Sequence, residues 1–199
     1  MYKLYPTLVV AFMGVDGSGK STLIKHLSKR LKKRYRTNKY LHLRPYLFLT
    51  DTSNVNSNPH DQKKKRSFFL SLIKILMWLF IYHVFFLINL NKKNLLIIFD
   101  RYAHDLLIDK TRYRFSLSNM LTQYILNLFP KPHFWIVLKA PIKKIEKRKK
   151  EMPTHELKRQ MKEYKNFSKN NNNVIIVDTS NKINENISLI VSKMKSTVN

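Results

Sequence analysis

The hydrophobic positions of the chain form short continuous runs that alternate with longer segments of helical spacing. The short runs are rich in β-branched and aromatic residues, as is typical of buried parallel strands. They comprise Thr7–Met13, Lys39–Arg44, Asn94–Asp100, His133–Lys139 and Asn173–Asp178. Amphipathic helical patterns lie between them, the first over Ser21–Arg36. This alternation predicts a three-layer α/β fold with a five-stranded parallel sheet, formed as a single domain by residues 1–199.

The longest apolar segment covers residues 67–90 and approaches the length of a bilayer span. Lys63–Arg66 precedes it as a cytoplasmic flank would, whereas Lys74, His83 and Asn89 interrupt it. A single span here would place the predicted strands on opposite sides of a membrane, so that no sheet could form. We therefore expect a long helix buried against the sheet, and leave peripheral membrane contact open.

Composition limits the classes of function. The chain has no cysteine, which excludes disulfide scaffolds and thiolate metal sites. Its 38 Lys and Arg against 12 Asp and Glu give a net charge of +26, which favours polyanionic partners. Lys, Asn and Ile are all abundant, as in proteins of AT-rich genomes, so genome composition is the alternative source of this charge. The first residues are too polar for a secretory signal, and a cytoplasmic protein is expected.

All three glycines of the chain fall within one short segment, Gly14–Ser21, with the sequence GVDGSGKS. It matches the phosphate-binding pattern G-x-x-x-x-G-K-[ST], and it follows a buried strand and opens a helix, as that pattern requires. Its backbone N–H groups can surround phosphates, Lys20 can reach the β- and γ-phosphates, and the Ser21 hydroxyl can bind Mg²⁺. The predicted ATP-binding residues are Gly14, Val15, Asp16, Gly17, Ser18, Gly19, Lys20, Ser21 and Thr22.

A second phosphate-related signal is Asp100, which ends the apolar strand Leu95–Phe99. A carboxylate at the carboxyl edge of a neighbouring parallel strand faces the same crevice as the loop and can organise Mg²⁺. Arg101 beside it offers a planar fork to a phosphate. The segment nearest to a guanine-reading motif, Asn181–Asn184, lacks the required Asp, which favours a small phosphotransferase over a GTP-binding protein.

These residues resemble the thymidylate kinases among the P-loop nucleoside monophosphate kinases, over nearly the whole chain. The resemblance rests on Phe12–Thr22, Phe99–Tyr102 and Lys131–Glu151, which leads to Tyr164. A branch of thymidylate kinase-like proteins associated with polysaccharide gene clusters is similar in Arg44-Pro45, Asn58–His60 and Asp100–Phe115. The resemblance implies a P-loop NTPase fold with a short lid over residues 148–154.

The resemblance also implies roles for individual side chains. Asp16 would lie near the acceptor, Arg44 would contact the acceptor phosphate, and Asp100 with Arg101 would orient that phosphate and Mg²⁺. Because Gly17 stands where some members carry a loop arginine, Arg148 in the lid would supply that charge. The implied catalytic residues are Asp16, Lys20, Arg101 and Arg148.

The chain also departs from the family pattern. No glutamate follows Arg44, and the segment Ala103–Leu107 replaces the positions that read thymine. We expect His104 and Asp105 in this segment to lie close to the substrate, because they follow Asp100 and Arg101; the alternative is that they are polar groups at a helix cap. Arg112 and Arg114 either face a second anionic group or belong to the surface.

The predicted reaction is Mg²⁺-dependent transfer of the ATP γ-phosphoryl group to a nucleoside monophosphate, with dTMP favoured. The alternative acceptor is a sugar, a lipid-linked glycan or another small molecule. A nucleic-acid-binding ATPase or polynucleotide kinase is the third hypothesis, and it is disfavoured because no aromatic and basic residues interleave as in known RNA modules. The predicted partner is therefore a small-molecule phosphate acceptor, and a homodimer is left open.

Overall fold

A computed structural model describes residues 4–43, 45, 67–148 and 152–198. The strands are β1 (Leu8–Met13), β2 (Thr37–His42), β3 (Leu95–Asp100), β4 (Phe134–Lys139) and β5 (Val174–Asp178). The helices are α1 (Lys20–Leu31), α2 (Phe68–Leu90), α3 (Asp105–Ile108), α4 (Lys110–Tyr113), α5 (Asn119–Asn127), α6 (Ile142–Arg148), α7 (Thr154–Lys169) and α8 (Ile183–Val198).

The five strands form one parallel sheet in the order β2-β3-β1-β4-β5, which confirms the predicted α/β fold. The first strand is central and pairs with β3 on one side and β4 on the other. The chain thus leaves β1 toward one half of the sheet and later returns to the other half. Ligands of open α/β sheets bind outside the carboxyl ends of the strands at such a switch point.

Alternate residues of the strands belong to two separate cores. Val10 and Phe12 of β1 pack on one face with α1 and α8, through residues such as Leu27 and Ile190. Val9, Ala11 and Met13 pack on the opposite face with α2, α5 and α7. Because side chains alternate along a strand, burial of every residue of β1 requires helices on both faces. The three layers follow from this pattern.

Two boundaries near the first helix differ from the sequence prediction. Helix α1 ends at Leu31 rather than at Arg36, because the chain turns there and the Tyr35 N–H donates to the Leu31 carbonyl at 2.9 Å. Tyr35 is buried, so the turn is fixed by packing. As a result, β2 begins earlier than predicted and ends at His42. The predicted strand end at Arg44 lies outside the described residues.

Helix α2 corresponds to the long apolar segment. Among the described residues it is the one helix long and apolar enough to cross a membrane, with a mean hydropathy of 2.1 over its most apolar window. Its inner side contributes Ile75, Trp78 and Tyr82 to the core, as expected for a helix packed on the sheet. The predicted lid falls partly outside the described residues, which resume at Met152.

Candidate active site

The phosphate-binding loop connects the central strand β1 to helix α1. Gly19 has a φ of 100°, a left-handed conformation that glycine adopts without strain. Gly14 has a different requirement, because a Cβ atom there would lie 3.2 Å from Cβ and 3.3 Å from the carbonyl oxygen of Leu138. The close approach of the loop to β4 therefore excludes larger side chains at position 14. Directly after Gly19, the free N–H groups of the α1 N-terminus begin.

The side chain of Lys20 is buried inside the loop. Its ammonium group donates to the carbonyl oxygens of Gly14 at 2.8 Å and Val15 at 2.9 Å. It also lies 3.7 Å from a carboxylate oxygen of Asp16. Burial and the nearby charge of Arg101 lower the pKa of Lys20 to about 8, against the opposing effect of neighbouring aspartates. The lysine is thus held at the centre of the loop, and its pKa lies closer to neutral pH than that of an ordinary lysine.

Arg101 follows β3 and connects the loop to the helices of the opposite face. Its φ of 75° is uncommon for a residue other than glycine, and its N–H donates to the Phe12 carbonyl at 2.9 Å. Its guanidinium group is buried and forms ion pairs with Asp16 and with Asp105. It also donates to the Tyr164 hydroxyl at 3.3 Å. A buried guanidinium between two carboxylates is rigidly oriented at the edge of the sheet.

Asp16 in the phosphate-binding loop pairs with two arginines. One carboxylate oxygen accepts from Arg101 and the other from Arg112, which lies in α4. Burial alone would raise the pKa of Asp16, but the charges of Arg101, Lys20 and Arg112 hold it well below its usual range. Asp16 is therefore ionised at neutral pH. We call the five side chains of Asp16, Arg101, Asp105, Arg112 and Tyr164 the arginine–aspartate cluster.

Asp105 and Tyr164 complete the cluster on its buried side. The Tyr164 hydroxyl donates to Asp105 Oδ1 at 3.1 Å, and Asp105 is inaccessible to solvent. Burial raises the pKa of Asp105, and the charge and hydrogen bond of Arg101 counteract this effect. Asp105 thus fixes Arg101 from behind and has no surface through which it could touch a ligand.

Asp100 ends β3 beside the loop. One carboxylate oxygen accepts from the Tyr40 hydroxyl at 2.9 Å. The other oxygen, Oδ1, is buried and has no hydrogen-bond partner within the part of the chain that the structure describes. A buried carboxylate oxygen without a donor suits a cation or its bound water. No group of three or more His, Cys, Asp or Glu side chains among the described residues could hold a metal alone.

A cavity of about 380 Å³ adjoins the loop on the side away from the arginine–aspartate cluster. Arg148 at the end of α6 lines this cavity and donates to the Gly17 carbonyl at 3.2 Å. The other lining residues come from the loop, from α1 and from the segment after β5: Gly17, Gly19, Lys20, Ser21, Thr22, Leu23, Thr179, Asn181, Ile183 and Asn186. The exposed side chains of Ser21 and Thr22 thus face the same space as Arg148.

The remaining predicted residues are distributed differently. His104 does not join the arginine–aspartate cluster; it is buried among the rings of Tyr102, Trp135 and Phe167. Burial, together with the charge of Lys131, lowers the pKa of His104 to about 3, so its ring is neutral at physiological pH. Arg44 lies outside the described residues.

Sequence reasoning did not assign roles to several residues of the site. Tyr40 and His42 lie on the strand next to Asp100, and His42 pairs in register with it. Burial lowers the pKa of His42, against the nearby charge of Asp100. Side chains two residues apart on a strand share a face, so Tyr40 lies on the same face of β2 as His42. This alternation could have placed Tyr40 near the end of the neighbouring strand. The contact between Arg112 and Asp16 had no comparable sequence signal.

Comparison with known proteins gives one family and several structural relatives. Residues 12–190 match the family model described as thymidylate kinase. Thymidylate kinase from Candida albicans is 17% identical with a TM-score of 0.64, over 99% of this chain and 94% of that one. Thymidylate kinase from Ehrlichia chaffeensis is 16% identical with a TM-score of 0.62, over 98% and 100%. Deoxyadenosine kinase from M. mycoides, solved with bound dATP, is 17% identical with a TM-score of 0.59, over 94% and 100%. No curated protein sequence matches the chain.

Proposed function

The chain belongs to the thymidylate kinase family, whose members are ATP-dependent nucleoside monophosphate kinases, and we propose that it phosphorylates dTMP to dTDP. The observation that carries the proposal is the arrangement at the carboxyl edge of the sheet. There a phosphate-binding loop with a buried lysine lies directly against a buried arginine held between two carboxylates. The loop with its lysine suits a triphosphate, and the buried arginine suits the phosphate of an acceptor.

The donor half of the proposed site consists of the loop and the cavity beside Arg148. The triphosphate would accept from the loop N–H groups and replace the carbonyls of Gly14 and Val15 as partner of the Lys20 ammonium. The nucleoside would occupy the cavity lined by Thr179, Asn181 and Asn186. Arg148 would cover the phosphates, because its guanidinium already contacts the loop at Gly17.

The acceptor half would form around Arg101 on the other side of the loop. Arg101 is fixed by Asp105 and Tyr164 and can present its planar group to a phosphate with little loss of side-chain entropy. Arg44, by its matching position, would add a second cation. The protein then needs to do little covalent chemistry: it aligns two anions that repel each other and surrounds the transferring group with positive charge.

Mg²⁺ would be held by few protein groups. Asp100, with its unpartnered Oδ1, and the exposed Ser21 hydroxyl are the residues we assign to it. Magnesium in kinases keeps several waters and is bound by one or two carboxylates plus phosphate oxygens, which agrees with the absence of a larger acidic group among the described residues. When bound, the ion neutralises charge on the phosphates.

The test is ADP release from ATP and Mg²⁺ with purified protein and a panel of nucleoside monophosphates. We expect turnover with dTMP, and at least about a thousandfold loss in Lys20→Ala, which removes the central cation of the loop. Lys25→Ala, which changes an exposed lysine on the same helix, is the matched control and should keep full activity. Turnover by Lys20→Ala at the normal rate would refute the assignment of the loop.

A small-molecule acceptor of another class, such as a sugar or a lipid-linked glycan, is the second candidate. One observation favours it: the segment that replaces the thymine-reading positions is buried, with Asp105 bound to Arg101 and His104 packed among aromatic rings. Asp105 is thus engaged within the chain and is not exposed to a base. ATP binding without turnover across the whole nucleotide panel would exclude dTMP and favour this candidate.

A further inference from the structure

A second cavity lies among the helices α3, α5 and α7, apart from the phosphate-binding loop. Its volume is about 380 Å³, which is within the range of small-molecule sites. None of its lining residues also lines the cavity beside Arg148. Exposed side chains such as Gln123 and Asn166 form its rim, whereas the buried side chains of His104 and Ile108 lie at its base. The second cavity is therefore open to solvent and separate from the site proposed for ATP.

Most of the polar lining of this cavity consists of carboxamides, which carry no charge and offer both donors and acceptors. We call it the carboxamide cavity, after the side chains of Gln123, Asn127, Asn166, Asn170 and Asn171. Gln123 Nε2 donates to Asn127 Oδ1 at 3.0 Å, and Asn171 Nδ2 donates to the Phe167 carbonyl at 2.9 Å. These are the hydrogen bonds of the five carboxamides within the described part of the chain. Most of their donors and acceptors thus remain available to a bound molecule.

The base of the carboxamide cavity contains a polar atom that lacks a partner. Nδ1 of His104 is buried and forms no hydrogen bond with any described residue. The rings of Tyr102, Trp135 and Phe167 pack around this imidazole at centroid distances of 5.9, 4.9 and 5.6 Å. A buried polar atom without a partner is unfavourable and uncommon. A donor or acceptor that enters from the cavity would correct this deficit.

The charges around the carboxamide cavity favour an uncharged molecule. Lys131 and Glu163 line it with opposite charges, and no arginine is among its described lining residues. Burial and the charge of Lys131 lower the pKa of His104 to about 3, so the imidazole adds no charge at neutral pH. Helices α5 and α7 end beside the cavity at Asn127 and Lys169, and a helix carboxyl end is partially negative. A phosphate group would therefore be bound poorly here, in contrast to the loop.

We propose that the carboxamide cavity binds an uncharged, unphosphorylated ring compound that carries hydrogen-bond donors and acceptors along its edge. Leu107, Ile108 and Phe167 supply apolar contacts for the faces of such a ring, and the carboxamides supply partners for its edge. Nucleosides and monosaccharides share this chemistry. The site does not depend on which acceptor the kinase phosphorylates, because it shares no residue with the loop or with the arginine–aspartate cluster.

The experiment is calorimetric titration of the full chain with thymidine, adenosine, glucose and N-acetylglucosamine. β,γ-Imido-ATP, Mg²⁺ and dTMP are present in excess, so that the proposed nucleotide sites are filled. We expect at least one of the four compounds to bind at one site per chain with a Kd below about 1 mM. The 5′- or 6-phosphate of that compound should bind at least about tenfold more weakly. Binding by a nucleoside or by a sugar supports the proposal and identifies the source. Binding by none of the four overturns it, and so does equal affinity for the phosphorylated form.

The fluorescence of Trp135 locates the bound molecule. This ring packs against both His104 and Phe167, at centroid distances of 4.9 and 5.0 Å, and both residues line the cavity. The chain has two tryptophans, so Trp78→Phe leaves Trp135 as the only emitter. The ligand should shift its emission with the same Kd that calorimetry gives. Binding that leaves the emission unchanged would place the molecule elsewhere and overturn the proposal.

Removal of carboxamides gives an independent test in the unchanged tryptophan background. Asn127→Ala/Asn166→Ala deletes two exposed carboxamides of the cavity and should weaken binding at least about tenfold, as expected for the loss of two hydrogen bonds. The matched control is Asn119→Ala, which deletes an exposed carboxamide of α5 that does not line the cavity. It should bind the compound as the unchanged protein does. Full affinity in the double variant would contradict the assignment.

Discussion

The carboxyl edge of the sheet and the outer face of α2, the side with the exposed rings of Phe69 and Phe80, both depart from the usual rule that charged groups are exposed and apolar groups are buried. At the edge of the sheet, charged groups are buried: Arg101 and Asp105 are almost inaccessible to solvent. On the outer face, large apolar groups are exposed, and Phe80 keeps two thirds of its surface. Charges are seldom fully buried without a partner, and large exposed apolar patches are rare in monomers.

The two regions differ in how their unfavourable surface is compensated. In the arginine–aspartate cluster each described charge has an opposite charge in contact with it, so compensation lies within the chain. On the outer face, by contrast, Phe69, Phe80 and Leu87 keep about two thirds or more of their surface exposed among the described residues. The first region is therefore preorganised for a ligand, whereas the second leaves apolar surface exposed among the described residues.

The largest expected effect is a difference in the free energy of unfolding between substitutions on the buried side and on the exposed side of α2. Phe85→Ala removes a buried ring that contacts Phe86 and Phe99, and should lower the free energy of unfolding by about 4 kcal/mol. Phe80→Ala, on the outer face, should change it by less than about 0.5 kcal/mol. Urea denaturation measures both. Equal losses would mean that the outer face is packed within the chain.

The second largest effect should come from replacing the buried guanidinium group of Arg101. Arg101→Lys keeps the charge but cannot present a planar fork to two carboxylates and a phosphate at once. Turnover should fall about a hundredfold, or about 2.7 kcal/mol, as for the loss of one preorganised donor. Arg30→Lys, at an exposed position of α1, is the control. Full turnover by the Arg101 variant would show that the fork is not used in the reaction.

A smaller effect is expected from Asp105, the buried carboxylate that pairs with Arg101. Asp105→Asn removes the charge that holds Arg101 from its buried side, and should cost about 2 kcal/mol of stability. Because Asp105 has no exposed surface, the Michaelis constant for ATP should change less than kcat does. Glu185→Gln, at the exposed start of α8, serves as the comparison in the same denaturation experiment. A variant as stable as the unchanged protein would contradict the supporting role.

The smallest effect concerns the protonation of Lys20. Since its pKa is lowered to about 8, part of the protein carries a neutral lysine at pH 8.5, and the triphosphate should restore the charge. ATP binding should then take up as much as about one proton above pH 8, and its affinity should fall as the pH rises further. Calorimetry in two buffers of different ionisation enthalpy measures the uptake. Lys20→Arg should show no uptake, and uptake equal to that of the unchanged protein would assign the proton elsewhere.

The sequence predicted those parts of the structure that depend on local pattern. The strands were apparent because each is a short apolar run, and the loop because only glycine suits its turns and its approach to Leu138. The strand order, with β1 at the centre of the sheet, came from the structure alone. Asp100 and Arg101 could be located from the sequence, because they end a strand beside the loop.

The rest depends on packing between distant segments. Arg112 meets Asp16 only because two short helices fold back over the loop, and no periodicity indicates that contact. His104 was predicted near the substrate from its position after Asp100 and Arg101; its packing against Trp135 and Phe167 had no sequence signal, and its proximity to substrate stays a prediction. The exposure of half of α2 could not be predicted either, since an apolar sequence does not reveal which side meets the core.

The most direct test of the central claim follows the transferred group itself. The protein is incubated with Mg²⁺, dTMP and ATP labelled at the γ-phosphate, and the products are separated. The account predicts that the label appears in dTDP and that Lys20→Ala forms none. Label found only in inorganic phosphate would show that the site hydrolyses ATP without using dTMP as acceptor, and would contradict the proposed reaction.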